Sequence, residues 1–287
     1  MLWQTSRFKI DLGRPRVMGI VNVTPDSFSD GGQFADTRAA CAHCDDLLAQ
    51  GADLLDIGGE STRPGAIVPR AKEEIERVLP VLRHAVALGV PVSVDTSEPA
   101  VMRAALGLGV DIVNDVRALR RPGALEAIAS HPLAGVCLMH MQGEPGSMQQ
   151  APHYGDVVAE VMAFLAERAA ALLAFGVDRE RIVFDPGYGF GKTADHNLEL
   201  LRRQRELLSL GRPLLVGWSR KATLGKITGK PVAERAAASV AAALLAVQRG
   251  ASIVRVHDVA ATVDALKVLA AIESNETETH TNSKRQT

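Results

Sequence analysis

Val90-Pro-Val-Ser-Val-Asp95-Thr96-Ser97-Glu98-Pro99-Ala-Val-Met-Arg-Ala-Ala-Leu-Gly-Leu108-Gly-Val-Asp-Ile112-Val-Asn114-Asp115-Val116 reads as a strand, a helix and a second strand. Val90–Asp95 and Ile112–Val116 are β-branched runs of strand length, and between them Pro99–Leu108 carries apolar residues at helical spacing. Thr96-Ser97-Glu98 offers capping side chains where the helix begins. The same order repeats outward in both directions. Strand-like runs occur at Val17–Val23, Leu54–Gly58, Val136–Met141, Ile182–Asp185, Leu214–Gly217 and Ile253–His257. Helical patterns occupy Thr37–Gln50, Ala71–Leu88, Val157–Phe175, His196–Leu208, Val232–Arg249 and Ala260–Ile272. Apolar strands alternating with helices imply a parallel sheet covered on its outer face. An open doubly wound sheet has similar local patterns, but eight β-then-α units are the full count of a (β/α)8 TIM barrel. The expected organisation is an α/β fold with one domain: an N-terminal extension at 1–16, a barrel at 17–272 and a polar, disordered tail at 273–287.

The chain has 287 residues, of which 47% are hydrophobic and 23% charged, a composition that supports a packed core. A net charge of −1 and an aromatic content of 4% argue against nucleic acid as a partner. Met1–Pro15 has no apolar stretch of signal-peptide length, so a cytoplasmic location is expected. The alanine-rich run Ala236–Val247 is too short for a membrane span and reads as a buried helix. Cys41, Cys44 and Cys137 read as buried thiols. Cys41-Ala-His43-Cys44 lies within a helical pattern and lacks a second ligand pair for zinc.

Nearly every strand ends on polar residues: Asn22, Asp56, Asp95, Asn114 with Asp115, Met139 with His140, Asp185, Ser219 to Lys221, and Arg255 with His257. In a barrel these ends converge on one face, where a carboxylate is costly to desolvate without a partner or a ligand. The segments starting at Thr24, Glu60 and Gln142 are long and rich in Gly, Pro and Ser, which suits the mouth of a site. Gly187-Tyr-Gly-Phe190-Gly-Lys192-Thr193 imitates a phosphate loop, but Pro186 stands where the first P-loop glycine is needed, and the dinucleotide spacing fails as well. A tight turn of close approach is the better account. Phosphate is better served by Arg255 and His257, which share a side of the last strand, with Arg63 as a further cation.

Gly19-Ile-Val-Asn22-Val-Thr-Pro-Asp26-Ser-Phe28-Ser-Asp30-Gly-Gly32 and Asp56-Ile-Gly-Gly-Glu60-Ser-Thr62-Arg63-Pro64-Gly65 resemble the two signature loops of the dihydropteroate synthase family. The resemblance continues through Ser93-Val-Asp95-Thr96, Asn114-Asp115, Met139-His140-Met-Gln142-Gly, Asp185 to Lys192, Ser219-Arg220-Lys221 and Arg255-Val-His257. It implies condensation of (7,8-dihydropterin-6-yl)methyl diphosphate with 4-aminobenzoate, giving dihydropteroate and diphosphate with Mg2+ assistance. Residue by residue, it implies pterin contacts at Asp95, Asn114, Asp185 and Lys221, with Met139 and Phe190 among the substrate contacts. Asn22 becomes the metal contact, Thr62 a substrate contact, and Arg255 and His257 the diphosphate contacts. Phe28, Arg63, Pro64 and Ser219 fall where the family surrounds aminobenzoate. Asp95, Lys221, Arg255 and His257 are expected to carry catalysis, with no protein nucleophile. The first two loops are expected to act as lids, Phe28 and Asp30 ordering when diphosphate is present.

One departure is Ala222, where many relatives have Ser after the Ser-Arg-Lys turn. Backbone N–H groups and Thr223 are expected to take over the aminobenzoate carboxylate, with altered affinity. The resemblance also implies a homodimer built on the later helices. Two alternatives remain at this stage. A pterin-binding methyltransferase barrel would need a corrinoid partner and no diphosphate grip. A non-catalytic paralogue would be expected to lose members of the polar set.

Overall fold

The computed structural model describes residues 1–23, 33–61 and 68–283. It begins with an antiparallel hairpin of β1 (Leu2–Gln4) and β2 (Lys9–Asp11). Eight parallel strands follow: β3 (Arg16–Asn22), β4 (Leu54–Gly58), β5 (Val92–Asp95), β6 (Ile112–Asp115), β7 (Gly135–Met139), β8 (Ile182–Asp185), β9 (Leu214–Val216) and β10 (Ala251–Val256). They close into a barrel in the order β10-β3-β4-β5-β6-β7-β8-β9. Around it lie α1 (Gln33–Ala49), α2 (Ala71–Ala87), α3 (Pro99–Leu108), α4 (Ala124–Ala129), α5 (Val157–Ala174), α6 (Ala194–Arg202), α7 (Ala222–Thr228), α8 (Ala236–Val247) and α9 (Val259–Ser283). The fold is the single-domain (β/α)8 barrel.

Strand alternation sorts the side chains into two cores. Val17, Val21, Leu55, Ile57, Val92, Val94, Val113, Val136, Leu138, Ile182, Phe184, Leu214, Val216, Val254 and Val256 face the helices and join the main core. Met18, Leu54, Ile112, Cys137, Val183, Leu215 and Ile253 face inward and fill the N-terminal half of the barrel. Along β4, β6, β7, β8, β9 and β10 the next inward positions are Asp56, Asn114, Met139, Asp185, Gly217 and Arg255, with His257 two residues beyond Arg255, and Asp95 follows Ser93 in the same way on β5. The apolar lower layer is thus the foundation on which a polar upper layer stands.

The N-terminal hairpin closes the bottom of the barrel. Trp3, Ile10 and Leu12 pack into the inner core. The indole N–H of Trp3 donates to the Arg181 carbonyl at 2.9 Å. A Cβ on Gly135 would stand 3.0 Å from the Thr5 methyl and 3.1 Å from the Trp3 indole nitrogen, so glycine opens β7 to this approach. Arg7 clamps the buried Asp111 carboxylate, which also accepts the Val92 N–H.

Several elements differ from the sequence expectation. The expected helix at 196–208 ends at Arg202 and continues as a 3-10 turn over Gln204–Leu210, because Gln204 turns inward to the Ala246 and Arg249 carbonyls. The expected helix at 232–249 breaks at Arg235, whose guanidinium turns back to the Lys230 and Arg220 carbonyls. Helices α4 and α7, of 6 and 7 residues, are too short to show a period in sequence. Helix α9 continues past Ile272 to Ser283, through a stretch with no glycine or proline to stop it.

Candidate active site

The polar layer is organised by one arginine. Arg255 Nε donates to Asp56 Oδ2 at 2.6 Å and Nη2 to Asp95 Oδ2 at 2.7 Å. The neighbouring carboxylate in sequence, Asp258, pairs with Arg220 at 2.7 Å. Asp56 is fully buried, and its Oδ2 also accepts the Asn114 amide N–H at 3.1 Å. That bond fixes which way the Asn114 amide faces: its nitrogen is committed to Asp56, and its Oδ1 is buried without a partner. Ser93 Oγ, one strand over from Asp56, is likewise buried and unpaired. Burial raises the Asp95 carboxyl above its usual range, and Arg255 offsets part of that rise. Gly58 makes room for this assembly, since a Cβ there would stand 3.2 Å from that of Asp95.

Asp185 ends β8 with Oδ1 accepting the Gly187 N–H at 2.7 Å. Burial pushes its carboxyl up to about 6, against the Gly187 N–H and Lys221. Lys221 is pulled down to about 8 by burial, with Asp185 opposing. Its ammonium lies 4.0 Å from the centre of the Phe190 ring. Phe190 packs against Val116, Met139, Met141 and Met148, an apolar wall beside the polar groups. On the next strand, a Cβ at Gly217 would meet nothing within 4 Å, so the floor of the bowl has open space there.

The glycine-rich turn after Asp185 is bound tightly to its surroundings. Gly187 has φ +69°, and a Cβ there would fall 1.8 Å from the His140 carbonyl oxygen. Gly189 lets the Lys221 stem pass at 2.9 Å from the same notional atom. Lys192 is buried and donates to the Gly187 and Phe190 carbonyls at 3.0 and 3.2 Å, with His140 Nδ1 at 2.9 Å. Burial and the Lys192 charge push His140 down to about 2, so it accepts the ammonium hydrogen as a neutral ring. Lys192 therefore holds the loop, and the imitation of a phosphate motif has a structural cause.

On the other side of Asp185, the Ser219 hydroxyl lies 2.9 Å from His257 Nδ1 and accepts the His257 backbone N–H at 3.1 Å. With the hydroxyl donating to Nδ1, the imidazole proton resides on Nε2. Burial and Arg255 push His257 down to about 3, which keeps it a neutral donor. Arg220 between Ser219 and Lys221 has φ +59°. Its N–H donates to Ser239 Oγ and its guanidinium to Asp258, so the turn is held outward while its neighbours stay at the bowl. The Thr223 hydroxyl accepts the Asn197 amide N–H at 3.1 Å, which leaves its own O–H to donate. Asn22 ends β3 half-buried beside Gly58 of β4.

The structure thus brings Asp95, Asn114, Met139, Asp185, Phe190, Ser219, Lys221, Arg255 and His257 to one end of the barrel, with Asn22 on its rim. Phe28, Thr62, Arg63 and Pro64, with the lids expected around them, lie outside the described residues. Asp56 was visible as a strand-end polar residue but received no role from sequence. The signal was its inward parity with Leu54; its partner Arg255 is 199 positions away and could not be read locally. Arg117 and Glu60, bonded to each other at 3.2 Å, were also missed.

Residues 18–257 match the model of the pterin binding enzyme family. The dihydropteroate synthase of Neisseria meningitidis serogroup B is 53% identical over 280 residues, spanning 96% of this chain and 98% of the relative. The chain belongs to the dihydropteroate synthase family. Among solved members, the Xanthomonas albilineans dihydropteroate synthase with 4-aminobenzoic acid is 53% identical with a TM-score of 0.89, covering 95% of this chain and 99% of that one. The Burkholderia cenocepacia dihydropteroate synthase complexed with 7,8-dihydropteroate is 50% identical with a TM-score of 0.88, covering 96% and 98%. Dihydropteroate synthase similarity therefore extends over the whole barrel and both sides of the bowl.

Proposed function

We propose that the protein joins (7,8-dihydropterin-6-yl)methyl diphosphate to 4-aminobenzoate and releases 7,8-dihydropteroate and diphosphate. The observation that carries this is the bowl floor, where the unpaired Asn114 Oδ1, the Asp185 carboxylate and the Lys221 ammonium stand together beside open space at Gly217. A pterin presents an amidine and lactam edge. Its N–H groups suit Asp185 and Asn114 Oδ1, its acceptors suit Lys221, and its faces suit Met139 and Phe190. With the ring fixed, the methylene C–O bond breaks toward the side where His257 Nε2–H and Arg255 lie. Those donors meet the negative charge that develops on the departing diphosphate. The positive charge left on the methylene is stabilised by the pterin ring and the nearby Asp95 carboxylate. The aminobenzoate nitrogen then attacks that carbon and loses a proton. A methyltransferase reading gives the His257–Ser219 pair no leaving group to meet.

Mg2+ fits as an ion that comes with the diphosphate. Among the described residues no group of three His, Cys, Asp or Glu could hold a metal. Mg2+ takes most of its ligands from water and phosphate oxygens, and the Asn22 carbonyl supplies a hard oxygen at the rim. When bound, the ion supplies charge neutralisation to the leaving group. Exposed Val232, Leu245, Val268 and Ile272 on and beside α8 and α9 support a homodimer through the later helices. Unpaired Cys41, Cys44 and Cys137 support a reducing, cytoplasmic setting; among the described residues no helix is long and apolar enough to cross a membrane. The test is dihydropteroate formation measured against free Mg2+. Asn22→Ala is expected to require more Mg2+ for half-maximal rate, and an unchanged requirement would overturn the metal role of Asn22.

A further inference from the structure

We propose that Arg117 is a positioning residue that ties the start of the segment after β4 to the turns after β6 and β7. Its side chain is 5% exposed. Nη1 and Nη2 donate to the Glu60 carboxylate at 3.2 Å, and Nε donates to Glu144 at 2.9 Å. The two arms differ in setting. Glu60 is 4% exposed, so its pairing takes place away from water, whereas Glu144 is 62% exposed and screened. Without Arg117, the Glu60 charge would be left buried and uncompensated.

The backbone shows what it takes to place that guanidinium. Ala118 and Leu119 have φ of 51° and 58°, two consecutive residues in the left-handed region that side chains with a Cβ disfavour. Asp115 holds the turn from within, accepting the Arg117 N–H at 2.8 Å, the Leu119 N–H at 2.7 Å and a bond from Ser97 Oγ. Arg168 of α5 holds it from outside through the Ala118 and Leu119 carbonyls. A connection that only joined β6 to α4 has no need of this conformation, and glycine would relieve it. Backbone strain held by several independent bonds points to a task for the residue it aims, and here that residue reaches Glu60.

The consequence rests on the synthase reading. Residues 62–67 follow two positions after Glu60, and the family resemblance assigns Thr62, Arg63 and Pro64 to the substrates. Arg117 therefore serves the aminobenzoate side of the reaction through Glu60, while on the pterin side Asn114 of β6 is held by Asp56, and Asp185 and Lys221 lie on later elements. Lysine is no substitute, since a single ammonium cannot span two carboxylates as a guanidinium does.

The experiment compares the full-length protein with Arg117→Met, Arg117→Lys and the charge-neutral pair Glu60→Gln/Arg117→Met, the last protecting against a fold lost to an uncompensated Glu60. The KM for 4-aminobenzoate is expected to rise roughly tenfold or more in all three, while kcat and the dissociation constant for 7,8-dihydropterin stay within about twofold. Amide exchange at residues 59–61 is expected to quicken in the same variants. An unchanged aminobenzoate KM, or pterin affinity falling in parallel, would overturn the proposal. Exchange separates the two claims. Quicker exchange in a chain that never turns over would keep the tie and overturn the synthase reading. Unchanged exchange with normal turnover would overturn the tie alone.

Discussion

Asp56 never meets solvent, yet its Oδ2 receives both Arg255 and Asn114. It neutralises the arginine and orients the amide, so its loss should reach the substrates through two other side chains. Asp56→Asn keeps the volume and removes the charge. It is expected to lower kcat/KM about 10- to 100-fold, as for a lost charged hydrogen bond, with Asn114 free to turn its amide. Steady-state kinetics check this, and an unaffected kcat/KM would show that Arg255 and Asn114 are held by other means. Acid and base limits belong to the same scale. A carboxylate accepts paired N–H groups better than a protonated carboxyl does, and burial pushes the Asp185 carboxyl up to about 6 and the Lys221 ammonium down to about 8. Dihydropterin affinity is therefore expected to be greatest between those values and to weaken on both sides, measured as a dissociation constant against pH. The sign for stability is opposite on the acid side. The folded Asp185 holds its proton more tightly than the unfolded chain does, so this group makes the fold less stable as pH rises from 3.8 toward about 6.

Among the elements, the strands were the most legible because each is a short apolar run bounded by polar residues. Their polar ends followed from those bounds, which is why Asp95, Asn114, Asp185 and Arg255 could be named before any contact was known. What escaped was whatever depends on distant partners or on very short elements. The breaks at Arg202 and Arg235 come from side chains turning to far carbonyls, and α4 and α7 carry too few residues to show periodicity. The hairpin β1–β2 escaped for the same reason: its alternation was visible, but its packing under Cys137 and Ile253 was not. Trp3 is fully buried there and hydrogen-bonded to the Arg181 carbonyl. Trp3→Ala is expected to destabilise the fold by about 3–5 kcal/mol, with little change in KM for either substrate, because the hairpin lies at the end of the barrel away from the bowl. Denaturant unfolding beside steady-state kinetics checks both halves of that statement.

The whole molecule divides its barrel between two tasks. The lower half is an apolar plug of Met18, Leu54, Ile112, Cys137, Val183, Leu215 and Ile253, sealed by the hairpin. The upper half concentrates charges that would be unstable separately and that hold one another through Arg255. Active sites of this architecture form at the C-terminal strand ends, and here those ends bring donors and acceptors from five strands to one bowl. The most direct test is diphosphate release by the purified protein given (7,8-dihydropterin-6-yl)methyl diphosphate and Mg2+, with and without 4-aminobenzoate. The account predicts release that accelerates with 4-aminobenzoate and yields 7,8-dihydropteroate in equal amount. Pterin binding without release under either condition would contradict it.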